Sequence, residues 1–160
     1  MAIMAARKQA FSGGAGEHLV LGEILKRGVE AYLAHGKTQP GWDIAVINPL
    51  GSPLRVQVKA INWPTDCAVN GSFDEGFDVI VVVLLNGDKQ SRFLVIPRPD
   101  LEPHLSRPNE MRKGDSNKRT LTVGKNFDNH ATKDLRKYEG QWKNIISRVA
   151  PAPTLEPAVS

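Results

Sequence analysis

The chain has 160 residues, 41% of them hydrophobic and 24% charged, with a formal net charge of +4. That length suits a single domain with one proper core, and the composition is that of an ordinary globular protein. A single cysteine, Cys67, excludes an internal disulfide framework and suits a reducing, cytoplasmic setting, and no apolar run is long enough to cross a bilayer. The mildly basic balance permits a polyanionic partner.

Residues 1–11 carry Arg7 and Lys8 but no continuous apolar core, so they read as a flexible arm and not as a secretory signal. A glycine-rich lead-in follows, and a first helix is predicted over about 15–27, with Val20, Leu21, Ile24 and Leu25 at helical spacing and Gly28 as its stop. Glu17 falls on the same face as Val20, Leu21 and Ile24. A carboxylate there is costly unless it is paired or bound to a cation. The plainer alternative is a first-turn acid favoured by the helix dipole.

Residues 29–34 alternate as a first strand, and 35–42 form a loop. From Asp43 to Lys59 two β-branched runs flank a Gly/Pro/Ser cluster, which is a hairpin signature. On its second strand Gln57 and Lys59 project to one face, and Val56 and Val58 to the other. The polar face comes beside Asp43, so an acid, an amide oxygen and a lysine converge at one end of the hairpin; a solvated face would give the same alternation.

Residues 62–76 are turn-rich, with Asn70-Gly71 the clearest turn. Residues 77–85 read as a strand buried on both faces, and 92–96 as another strand, stopped by Pro97. Residues 98–126 look irregular and basic, either a solvated loop or a phosphate-contacting arm, with Arg112, Lys113, Lys118 and Arg119 as the candidate nucleic-acid contacts. A second helix is predicted from near His130 or Thr132 to Val149, on the spacing of Leu135, Tyr138, Trp142, Ile145, Ile146 and Val149, although Gly140 interrupts it. The domain therefore spans 12–149, with a disordered Pro/Ala-rich tail at 150–160.

Other chemistries fit poorly. The four histidines lack metal-ligand spacing and read as surface residues, Cys67 has no partner for a zinc site, and the glycines at 13–16 lack the lysine of a P-loop. Trp63 could stack on a base, whereas Trp142 reads as core.

Gly16-Glu17, Asp43-Ile44-Ala45-Val46, Val56-Gln57-Val58-Lys59 and Phe93-Leu94-Val95-Ile96-Pro97 occur in an order that resembles the PD-(D/E)XK nuclease superfamily. The resemblance is to its Q-x-K members, among them some methyl-directed restriction endonucleases, and covers roughly residues 14–97. It implies an α/β fold, a restriction-endonuclease-like mixed central β-sheet flanked by helices, and a Mg²⁺-dependent endonuclease acting on DNA, with Mn²⁺ as a substitute. By that pattern Asp43 ligates the metal, Gln57 supplies a second oxygen, Glu17 joins through a water, and Lys59 positions the attacking water. A homodimer would present two sites to duplex DNA. The chain departs from the pattern in two ways: Gly41 and Trp42 separate Pro40 from Asp43, and Gln57 removes a negative charge. A nuclease-fold protein that binds nucleic acid or a protein partner without cutting is the alternative.

Overall fold

The computed structural model describes residues 2–34, 41–73, 76–108, 117–128 and 134–149, with side chains from Phe11 onward. In chain order its elements are α1 (Ala2–Leu25), β1 (Ala31–Leu33), β2 (Ile44–Val46), β3 (Leu54–Asn62), β4 (Ala68–Ser72), β5 (Val79–Asn86), β6 (Lys89–Pro97), α2 (Arg98–Leu101), β7 (Lys118–Thr122) and α3 (Lys143–Val149). Two single 3-10 turns, Glu102–His104 and Arg136–Tyr138, complete it.

A five-stranded mixed sheet in the order β1-β2-β3-β5-β6 forms the middle layer. Its neighbours are antiparallel except β3 and β5, which run parallel from Val56↔Val79 to Asn62↔Leu85. The apolar run of β5 is buried on both sides, as a central strand between two layers requires. Val79, Val81 and Val83 face α1 and α3, in a core completed by Val20, Ile24, Trp142 and Ile145. Ile80, Val82 and Leu84 face the opposite way, towards Val69 of β4 and Leu121 of β7, which pair antiparallel as a separate two-stranded sheet. The protein is thus a mixed α/β sandwich of helices, central sheet and small sheet. Among the described residues no helix is long and apolar enough to cross a membrane.

Four expectations need correction. Helix α1 begins at Ala2, so residues 2–11, expected as a flexible arm, are helical. Asn70-Gly71 is not a turn: both residues lie within β4, paired with Thr120 and Arg119. The basic stretch after Pro97 is not irregular throughout, since α2, a 3-10 turn and β7 fall within it. The closing helix is short, because Gly140 adopts φ +63° and the chain there crosses the β6 edge, its N–H donating to Phe93 O. Leu135 and Tyr138 consequently belong to one core, and Trp142, Ile145 and Val149 to the other. The predicted start of that helix and the 150–160 tail lie outside the described residues.

Candidate active site

The three residues of β2 pair only with Leu54–Val56, while β3 continues to Asn62. From Gln57 onward this edge of β3 has no neighbouring strand among the described residues, and a cleft of about 750 Å³ opens along it. Asp43 closes the end of the ladder. Its N–H donates to Val56 O at 2.8 Å, and its Oδ2 accepts the Val58 N–H at 2.7 Å. The carboxylate therefore occupies the place of the next strand residue, which fixes its position with one bond and leaves Oδ1 without a hydrogen bond among the described residues.

Glu17 reaches the same cleft from the helical layer. The preceding Gly16 is buried against β3, where a Cβ would stand 2.8 Å from Ala60 Cβ and 3.5 Å from Val58 Cγ1. Only a residue without a Cβ lets the helix come this near, and that approach carries the half-buried Glu17 to the strand edge. Lys59 enters from the other layer. Its half-buried side chain runs towards β4, and a Cβ on Gly71 would lie 3.7 Å from Lys59 Nζ. It makes no ion pair among the described residues.

Gln57 lies opposite Asp43 when the β2–β3 register is continued by one pair. It is only 5% exposed, and its Oε1 is buried with no hydrogen-bond partner among the described residues. An amide oxygen left so costs about 1–3 kcal/mol unless a ligand or water meets it. The cleft thus unites Glu17, Asp43 and Lys59; Gln57, in register beside Asp43, is not among the described residues that line it. Asp66, which the sequence reading passed over, also lines it, giving three carboxylates against one ammonium among the described lining residues. No group of three His, Cys, Asp or Glu poised for a metal occurs among the described residues; a site that uses Gln57 supplies only two such groups.

The basic candidates separate. Arg112 and Lys113 lie outside the described residues. Lys118 is exposed at the start of β7, paired in register with Ser72. Arg119 is 14% exposed and is taken up by Glu102, at 2.7 and 2.8 Å, and by Ser106 O at 2.7 Å. The Arg119 guanidinium in turn holds the Glu102 carboxyl below its ordinary value. Trp63 is buried, its Nε1–H donating to Gly124 O and its ring tilted against Phe127, so it presents no stacking face. Against the surface reading of the histidines, His104 is 2% exposed and packs edge-on against Tyr138, while His18 is exposed. A second cavity, about 530 Å³, lies beside the Arg55–Asp78 ion pair, whose polar groups already satisfy one another.

No protein-family model matches the chain, and no curated protein is similar to it in sequence.

Proposed function

We propose that this protein is a metal-dependent endonuclease of the PD-(D/E)XK type that hydrolyses phosphodiester bonds in DNA. The observation that carries this reading is the convergence of Glu17, Asp43 and Lys59 on one cleft at the open edge of β3. The element order through β6, with β3 and β5 parallel, also suits a restriction-endonuclease-like central sheet.

Two properties of the site fit a divalent cation. The described lining holds three carboxylates and one ammonium, a balance that favours a cation beside any polyanion bound there. Gln57 Oε1 and Asp43 Oδ1 are hard oxygen donors with no hydrogen bond among the described residues. Asp43 and Gln57 would hold Mg²⁺ or Mn²⁺, with Glu17 joining through a water. A divalent ion held by these residues would supply the acidity that activates a water and the charge that offsets the phosphate. The Lys59 ammonium orients the attacking water and stabilises charge growing on the non-bridging oxygens. The water oxygen bonds to phosphorus as its proton passes to solvent, the bond to the leaving sugar oxygen breaks, and that oxygen takes up a proton from solvent. One chain presents one such site, so cutting both strands of a duplex favours a homodimer.

The burial of a neutral Gln57 where the pattern usually has an acid favours one second reading, a nuclease-fold protein that binds nucleic acid or a protein partner without cutting. Plasmid cleavage in Mg²⁺, Mn²⁺ or EDTA separates the two. The wild type cuts with metal and stops with EDTA, and Lys59→Ala loses cutting by two orders of magnitude or more. Its Tm moves little, because truncating a half-buried side chain that faces a cleft opens no core cavity. Wild-type cutting by Lys59→Ala would remove the lysine from the mechanism.

A further inference from the structure

The cleft does not end at Lys59. Beyond it lies a third cavity, of about 500 Å³, which shares Asn62, Thr65 and Asp66 with the cleft. The two cavities therefore adjoin along the turn after β3, and the further one reaches Asn86 and Gly87, at the carboxyl ends of the parallel pair β3 and β5. Ligands of open α/β sheets characteristically bind outside such strand ends.

The chemistry of this third cavity differs from that of a phosphate site. No lysine or arginine lines it among the described residues, and Asp66 adds a negative charge. Backbone phosphates are held by basic side chains and helix ends, so a phosphate is disfavoured here. The groups present are two side-chain amides, a hydroxyl and a carboxylate, and those of Asn62, Thr65, Asp66 and Asn86 make no side-chain hydrogen bond among the described residues. Amides and carboxylates of this kind read base edges.

The turn that carries them is held from behind. The Asp66 N–H donates to Asn62 O at 2.7 Å, Cys67 Sγ–H to Pro64 O, and Trp63 is buried against both Phe127 and the Arg92 guanidinium. The backbone that carries these side chains is thus fixed in place.

We propose that Asn62, Thr65, Asp66 and Asn86 form a subsite for the nucleobase next to the scissile phosphate, selective for bases that present an amino group on the major-groove edge, adenine and cytosine. The Asp66 carboxylate only accepts hydrogen bonds. It suits the amino groups of cytosine and adenine and opposes the keto oxygens of guanine and thymine. The inference rests on the nuclease reading and gives it a substrate preference.

The test digests oligonucleotides randomised around the cut with the full-length protein in Mg²⁺ and in Mn²⁺, then sequences the product ends. Adenine or cytosine is expected to be enriched about tenfold at one position flanking the cut. Asp66→Asn, which adds a donor and removes the charge, shifts that position towards guanine and thymine. Its Tm stays near wild type because the side chain is exposed. Unbiased ends from the wild type, or an unchanged profile in Asp66→Asn, would overturn the subsite and leave the nuclease reading standing. No product from the wild type with either metal overturns both.

Discussion

Gln57 combines burial, an unsatisfied oxygen and a place beside Asp43, and these three properties make a single-atom change informative. Gln57→Glu keeps the side-chain length and adds one charge. Without metal, a third carboxylate near Asp43 and Glu17 must be desolvated and repelled, so the variant should melt below wild type at pH 7. With Mg²⁺ the added charge strengthens a hard-cation site. Tenfold tighter binding stabilises the folded state by up to about 1.4 kcal/mol at saturating metal, so the Mg²⁺-induced rise in Tm should be larger in Gln57→Glu than in wild type. Thermal melts with and without Mg²⁺, with Asp43→Ala as the control, measure this. If Mg²⁺ raises the Tm of neither protein, the pocket holds no metal and the binding-protein reading takes over.

The contact of α1 with β3 is the element-scale counterpart. A methyl group on Gly16 would overlap Ala60 Cβ at 2.8 Å, and the obstacle is a backbone-anchored atom that cannot swing away. Gly16→Ala should therefore push the helix off the strand and cost about 1–3 kcal/mol, despite the higher helix propensity of alanine. Removing the opposing methyl with Ala60→Gly should recover part of the loss, and a coupling energy near zero in the double-mutant cycle of denaturant midpoints would refute the contact. This junction was partly legible in the sequence, because Gly16-Glu17 and the hairpin from Asp43 to Lys59 are local patterns and Gly28, at φ +77°, ends the helix region as expected. Long-range pairing was not. β4 owes its existence to β7, joined by Asn70 and Thr120 across fifty residues, so Asn70-Gly71 looked like a turn. The apolar spacing from Leu135 to Val149 continued across Gly140 although the two halves pack on opposite faces of the sheet. Asn62 and Asn86 escaped for the same reason, since the β3–β5 register brings them together, and Asp66 follows Asn62 in a turn that nothing in its own neighbourhood marks as a site.

At the scale of the whole molecule, the central sheet is cross-tied where β3 and β5 begin. Asp78 Oδ2 accepts the Arg55 N–H at 2.8 Å, and both carboxylate oxygens meet the Arg55 guanidinium at 3.2 Å. Burial pushes the Asp78 carboxyl up, but the bonds from Arg55 outweigh it, and the group titrates below its ordinary value. A carboxyl depressed in the folded state stabilises fully above its unfolded value, near 4, and that contribution fades as pH falls through the lower folded value. Asp78→Asn retains an acceptor for the backbone N–H and removes only the charge. The pair is partly exposed, so solvent screening limits the loss to about 1 kcal/mol at pH 7. Urea unfolding of wild type and Asp78→Asn from pH 7 to pH 2 should show that gap holding down to about pH 5 and closing below about pH 4. A gap independent of pH would mean that Asp78 acts through shape rather than charge. Asp78 lines the 530 Å³ cavity and not the proposed catalytic cleft, so the proposed metal-dependent cleavage per folded molecule should be unchanged in Asp78→Asn, which separates the acid sensitivity of the fold from that of the site.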